Sequence, residues 1–216
     1  MKKPATRIIV ADDHSVVRTG LQLILIETSD LTITGEASDG EELLDKLSTA
    51  AYDLVILDLS MPGKNGMEVL KEIKKNWPHL PVVIFTMNRD DIYAIRMIRN
   101  GASAYVNKET KNPQIIEVLR TVASGKKYFT QQQAEMLANI VASPEKDNPA
   151  LHELLSDREF QIFMMMASGL KKSEIAEKLI ISKNTIGNHR SNILKKMNMT
   201  MVSELTKYAI QHGIIQ

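Results

Sequence analysis

Five polar groups each stand at the end of a short apolar run, and this placement restricts the possible folds more than any other feature of the chain. Asp12 and Asp13 come after Ile8-Ile9-Val10, Asp58 after Leu54-Val55-Ile56-Leu57, Thr86 after Val82-Val83-Ile84-Phe85, and Lys108 after Ala104-Tyr105-Val106. Runs that are apolar throughout read as strands covered on both faces, the condition of a parallel sheet. The carboxyl ends of such strands form one edge, and ligands sit in the crevice where the strand order reverses. All five groups then converge on one site.

The segments between the runs carry helical patterns, so the order is strand, helix, strand, as crossover connections require. Leu21, Leu23, Ile24 and Leu25 belong to a first helix, and a strand over 31–36 leads to a second helix over 40–47. A third helix over 67–76 is closed by Trp77-Pro78 and a fourth over 90–99 is stopped by Gly101. A fifth over 113–124 has proline in its first turn. The pattern predicts an α/β, flavodoxin-like, doubly wound five-stranded parallel sheet over residues 1–124. A linker helix over 130–141 and a polar, proline-flanked tether over 143–149 fill residues 125–149. Residues 150–216 read as a small all-α domain, with helix starts at Ser156, Lys172, Ser182 and Thr200.

Composition adds exclusions. The chain has no cysteine, which removes disulfides and thiol catalysis. No stretch approaches the ~18 apolar residues of a membrane span, and residues 1–13 are too short in apolar content for a signal peptide. The expectation is a cytoplasmic protein with no membrane partner. Residues 1–123 carry 15 Lys/Arg against 17 Asp/Glu, whereas residues 150–216 carry 9 against 6. The second part leans basic, as a nucleic-acid binder does.

The acidic residues point to metal and phosphoryl chemistry. Taken singly, an Asp after a strand is usually a cap or turn former, a Thr a cap, and a Lys a solvated surface residue. Their joint placement on successive strand ends argues otherwise. Close carboxylates repel one another, and a cation relieves the repulsion. Mg²⁺ suits an oxygen-only set and leaves room for a phosphate, with Asp12, Asp13, Asp58 and the Ser60 backbone carbonyl as the expected ligands, Asp12 through water. Asp58, presented by the loop Leu59-Ser60-Met61-Pro62-Gly63, is the candidate nucleophile toward phosphorus. Lys108 would pair with phosphoryl oxygens and Thr86 would donate a hydroxyl hydrogen bond to them.

These residues, with Tyr105 and Met61-Pro62-Gly63, resemble the receiver domain of two-component response regulators across residues 5–123. The resemblance implies that Asp58 accepts a phosphoryl group from a cognate sensor histidine kinase. It also implies that Asp12 and Asp13 hold Mg²⁺, that Lys108 and Thr86 read the phosphorylated state, and that Tyr105 is an aromatic switch following Thr86. Ser60 and Asn88 would tune the acyl-phosphate lifetime. Glu109 departs from the pattern, since many receivers have proline there.

In the helical part, residues 172–179 and 183–197 have helix-turn-helix spacing, with Ser182 capping the second helix. On a helical wheel Ile186, Ile193 and Met197 share the buried face, and Asn184, Gly187, Asn188, Ser191 and Lys195 point outward. Outward Asn side chains can read adenine, while Lys183, Arg190, Lys195 and Lys196 can neutralise phosphates. Met164-Met165-Met166 reads as adaptable core filling, and His189 as a packing or phosphate-contact residue. Leu155-Ser156-Asp157-Arg158-Glu159, the two helix starts, Thr185-Ile186 and His189 resemble the LuxR-type DNA-binding domain over residues 151–216. With the receiver, that places the chain in the NarL/FixJ subfamily by resemblance. Gly187 departs where lysine is common, and Lys171 and Lys172 stand where small polar residues are usual.

The resemblance implies a DNA-binding transcription regulator rather than an enzyme, its only catalysis being its own phosphorylation and dephosphorylation. The unphosphorylated receiver would cover the recognition helix, and phosphorylation would release it to dimerise on double-stranded promoter DNA, with RNA polymerase as a further partner. The expected DNA contacts are Lys183, Asn184, Thr185, Asn188, His189, Arg190, Ser191 and Lys195. The dimer contact is expected from a last helix over 201–211, through Leu205, Tyr208 and Ala209. Rival readings are an aspartyl-phosphate phosphatase, disfavoured because Ser60 stands where a second aspartate is wanted, a two-domain protein-binding module, and a regulator that ignores phosphorylation.

Overall fold

Strands β1 (Thr6–Ala11), β2 (Leu31–Ala37), β3 (Leu54–Leu57), β4 (Val82–Thr86) and β5 (Ala104–Asn107) pair in parallel in the order β2-β1-β3-β4-β5. This is the doubly wound order expected from the sequence, with its reversal between β1 and β3. The computed structural model describes residues 4–64, 66–87, 91–142, 150–212 and 214–215. It forms two compact units, Met1–Leu137 and Ala138–Gln216. The tether over 143–149 and Asn88 lie outside the described residues.

The apolar runs are buried as covered strands should be. Every residue of β3 and β4 is buried, as are Ile8 to Ala11 of β1. One face of the sheet, through Ile8, Val10, Leu54, Ile56, Val83 and Phe85, shares a core with Leu21 and Leu25 of α1 (Ser15–Leu25) and with Ile115, Leu119 and Val122 of α5 (Asn112–Ala123). Each such aliphatic side chain contributes about 1.5–3 kcal/mol by leaving water. Helices α2 (Gly40–Thr49), α3 (Gly66–Asn76) and α4 (Asp91–Arg99) complete the crossovers. The helix starts and stops match the sequence expectation to within one or two residues, including the proline-led α5.

After α6 (Gln131–Ala142), a 3₁₀ turn at Leu151–Leu154 precedes α7 (Asp157–Ala167), α8 (Lys172–Lys178), α9 (Lys183–Lys196) and α10 (Val202–Gln211). Phe160, Phe163, Ile175, Ile186, Ile193, Met197, Leu205 and Ala209 fill the core of the second unit. Here one expectation is corrected. Leu205 and Ala209 are fully buried and Tyr208 is nearly so, its hydroxyl 3.0 Å from His152 Nδ1 and its ring against Phe163. An apolar stripe on a terminal helix has first to close its own small core. These three side chains hold α10 to the domain and are not available for a dimer contact.

The turn between α8 and α9 carries strain. Ile180 has φ of +50° and is 65% exposed, so a β-branched residue occupies a left-handed conformation that costs about 1–2 kcal/mol and gains little packing in return. Ile180→Gly is expected to stabilise the second unit by about 1 kcal/mol, a rise of roughly 4–8 °C in a domain of this size. Differential scanning calorimetry of the full chain checks this, and a fall in the second unit's transition would contradict it.

Candidate functional site

The sheet brings Asp12, Asp58, Thr86 and Lys108 to one edge, and strand-end hydrogen bonds set their heights. Asp58 donates its backbone N–H to the carbonyl of Ala11 at 2.9 Å, and Lys108 donates its own to Thr86 at 2.9 Å. Asp12, Asp58 and Thr86 are each 1% exposed. Lys108 reaches in between the carboxylates, its Nζ 2.7 Å from Asp12 Oδ2 and 3.0 Å from Asp58 Oδ2. Asp58 Oδ1 accepts the Leu59 N–H at 2.8 Å, and Asp12 Oδ1 accepts the His14 N–H at 2.9 Å. Tyr105 is buried in β5 opposite Ile84, and the Ser60 side chain is exposed two residues beyond Asp58.

Burial and charge pull the pocket's groups in opposite directions. Burial pushes the Asp58 carboxyl above the usual carboxylate range; Lys108 pulls it down and Asp12 pushes it up. Burial works against the Lys108 charge, but Asp58 and Asp12 outweigh it and hold the ammonium above the usual lysine range. One lysine thus faces two buried carboxylates, with Asp13 close by. Asp12 Oδ2 and Asp58 Oδ2 are buried and share the single ammonium of Lys108. One ligand atom from each of Asp12, Asp13, His14 and Asp58 falls within 4.8 Å of the others. Hard oxygen donors with unused acceptor capacity fit a divalent cation such as Mg²⁺.

Several supporting residues carry no sequence signal. Arg18 donates to the Asp12 carbonyl at 2.7 Å and pairs with Glu36 at 2.7 Å. His14 places Nδ1 2.8 Å from Asp13 Oδ1. Asn107 ties down the loop that carries Lys108, accepting the Glu109 N–H at 2.8 Å and donating to the Met87 carbonyl at 3.2 Å. This staple fixes the loop with Glu109 in place of proline, and no cis peptide occurs among the described residues. Gly66 starts α3 against the loop after β3: a β-carbon there would stand 2.7 Å from Leu59 Cα and 2.9 Å from the Asp58 carbonyl oxygen. Both atoms are backbone and cannot swing aside. Gly66→Ala is therefore expected to displace Asp58 and to cost about 1–3 kcal/mol, read as a lower melting temperature together with slower labelling by acetyl phosphate. An unchanged labelling rate would show that the close approach does not position Asp58.

In the second unit, Ser182 caps α9 by accepting the Thr185 N–H at 3.0 Å, and the two hydroxyls lie 2.8 Å apart. Ile186, Ile193 and Met197 are buried, as the helical wheel requires. Lys183, Asn184, Asn188, Arg190, Ser191 and Lys195 are exposed, with Ser191 also donating to the Gly187 carbonyl at 3.1 Å. His189 is half-buried; burial and then Arg158 lower its pKa, against Glu159. It lies at the flank of the exposed face. Lys196 Nζ lies 2.6 Å from Glu159 Oε2, so this cation is engaged inside the domain. The Glu159 carboxylate also accepts the Ser156 N–H at 2.8 Å, closing a capping box at the start of α7.

Residues 8–120 match the response regulator receiver domain, and residues 153–209 match the bacterial regulatory proteins of the luxR family. The oxygen regulatory protein NreC of Staphylococcus carnosus is 35% identical over 214 residues, spanning 97% of this chain and 99% of that one. The response regulator GacA of Pseudomonas viridiflava is 32% identical over 209 residues, spanning 97% of each. Among solved structures, RcsB of Salmonella enterica serovar Typhimurium, bound to promoter rprA in the presence of the phosphomimetic BeF3-, superposes with a TM-score of 0.62. It is 25% identical over 94% of this chain and 98% of that one.

Proposed function

Because the chain belongs to the response regulators that join a receiver to a luxR-family DNA-binding domain, the NarL/FixJ type, we propose that it is a transcription regulator whose promoter binding is controlled by phosphorylation of Asp58. Residues 1–124 form the phosphoacceptor domain, 125–149 the connection, and 150–216 the DNA-binding domain. The observation that carries this reading is the buried Asp12–Lys108–Asp58 arrangement, in which one ammonium serves two buried carboxylates. Such an arrangement costs stability and gains nothing from packing, as a site kept for chemistry does.

Asp58 takes the phosphoryl group from a sensor histidine kinase as an acyl phosphate. Lys108 is placed to exchange its ion pair with Asp58 for one with the phosphoryl oxygens, and Thr86 to donate its hydroxyl to them. Tyr105, one strand over, follows Thr86. Asp12, Asp13 and Asp58, with the Ser60 carbonyl, would hold Mg²⁺, which neutralises charge on the transferring group. The chain is no classical enzyme, and its chemistry is confined to its own phosphorylation and dephosphorylation. Phosphorylation frees the second domain to dimerise on double-stranded promoter DNA, where Asn184 and Asn188 read base edges. Lys183, Thr185, Arg190, Ser191 and Lys195 hold the backbone, and His189 packs beside them; RNA polymerase is the downstream partner. Among the described residues no helix is long and apolar enough to cross a membrane, and we place the protein in the cytoplasm.

The test compares binding to a pool of genomic DNA fragments with and without Mg²⁺ and beryllofluoride. Treatment is expected to enrich specific fragments. Equal binding in both samples would show that the DNA-binding domain ignores the phosphoryl signal.

A further inference from the structure

The outward face of α9 has a gap at its middle. Asn184, Asn188, Ser191 and Lys195 are exposed on it, but Gly187 contributes no side chain and is only half-exposed. What covers it comes from the preceding helix. A β-carbon placed on Gly187 would stand 2.8 Å from Lys172 Nζ and 3.5 Å from its Cε. The ammonium of Lys172, the first residue of α8, therefore lies where a side chain of α9 would begin.

Among the described residues no ion pair accounts for this placement by stability. A cation in the first turn of a helix opposes the helix dipole. Among the described residues no carboxylate forms an ion pair with Lys172, whereas Lys196 is held by Glu159. The glycine itself weakens α9 relative to alanine. The position has chemical sense as a contact. An ammonium lying flush with the helix, without a projecting stem at residue 187, is a compact point charge open to a duplex laid on this face.

We propose that Lys172 and Gly187 act as one unit, in which α8 delivers across the turn a cation onto the recognition face of α9, and that this ammonium contacts a DNA phosphate. The inference rests on the DNA-binding reading above. It assigns a contact to a residue outside the recognition helix and a purpose to the glycine within it.

The geometry supplies a clean test, because the atom nearest the missing β-carbon is the end of a flexible side chain. Gly187→Ala should move the ammonium aside without disturbing the fold, and alanine is the better helix former. Full-length protein is titrated between 50 and 200 mM salt with a random-sequence duplex and with a fragment recovered from the genomic pool. Each phosphate contact contributes about 0.9 to the slope of log affinity against log salt. Lys172→Ser is expected to lower that slope by about one on both DNAs, so that the loss of affinity over this range shrinks by about 3- to 4-fold. Gly187→Ala is expected to reproduce the change with an equal or higher melting temperature, and the double variant to match either single one.

An unchanged slope in Lys172→Ser while the wild type binds DNA would overturn the phosphate contact and leave the DNA-binding reading intact. Slope changes that add in the double variant would overturn the shared unit. A wild-type chain that binds neither DNA would remove the DNA-binding reading and this inference with it.

Discussion

Asp58→Asn is expected to abolish acyl-phosphate formation, and with it the response of DNA binding to beryllofluoride, while raising the melting temperature of the metal-free protein. The two effects have one origin. Asp58 is 1% exposed and shares Lys108 with Asp12. Burial and the Asp12 charge outweigh the pull of Lys108, so its pKa is raised on folding. A carboxylate with a raised folded pKa stabilises the native state only while it is protonated. That contribution is fully present below the unfolded value and is lost as pH rises through the folded one. At neutral pH the ionised Asp58 therefore opposes folding, and asparagine removes the charge while keeping the shape. Calorimetry in EDTA should show wild type and variant converging near pH 3–4 and the variant melting higher at pH 7, by roughly 3–5 °C per kcal/mol relieved in a domain of this size. Mg²⁺ should narrow the gap by stabilising wild type through binding. Retained acyl-phosphate labelling of the variant would refute the assignment of the acceptor. A variant that melts lower at pH 7 would refute the electrostatic account of the pocket.

This trade of stability for chemistry explains why the receiver site was legible in the sequence. A buried carboxylate pair and a lysine at successive strand ends serve no packing purpose, so their positions stand out against the apolar runs. The strand order, the helix limits and the convergence of Asp12, Asp58, Thr86 and Lys108 followed from those runs. The supports were hidden for a physical reason. Arg18, Asn107 and Gly66 act through the backbone of a neighbour, Asp12, Met87 and Asp58 respectively, and any sequence position can do that once the chain is folded. The inward placing of Leu205, Tyr208 and Ala209 is not legible for a related reason. Leu205, Tyr208 and Ala209 form a stripe in sequence, but a stripe does not say which apolar surface covers it. In a domain this small the core takes precedence over an interface. That Lys172 adds charge near the DNA and offsets the loss at Gly187 is legible in the sequence; that its ammonium lies directly over Gly187 is not, since only the fold sets one over the other.

Glu159→Ala is expected to destabilise the DNA-binding domain by about 2–4 kcal/mol, the sum of a charge-assisted hydrogen bond and a helix cap, lowering its melting temperature by about 10 °C or more. The carboxylate is 7% exposed and has two attachments, the Ser156 N–H at the start of α7 and Lys196 Nζ in the last turn of α9. It thereby ties the recognition helix to the helix that carries Phe160 and Phe163 of the core. Burial works against its charge, but Lys196 and Ser156 overcome it and hold its pKa below its ordinary 4.5. A depressed carboxylate contributes stability that is present above the unfolded value and is lost as pH falls through the folded one. The gap between wild type and Glu159→Ala should accordingly be widest at neutral pH and shrink in acid, below about pH 4.5. Glu159→Gln separates the two attachments, because its amide oxygen can still accept from Ser156 while the charge facing Lys196 is gone. It should lose about half as much, and its loss should diminish in high salt, since Lys196 is 42% exposed and open to screening. Equal losses for alanine and glutamine would show that the contribution of Glu159 comes from its ion pair with Lys196 and not from the cap of α7.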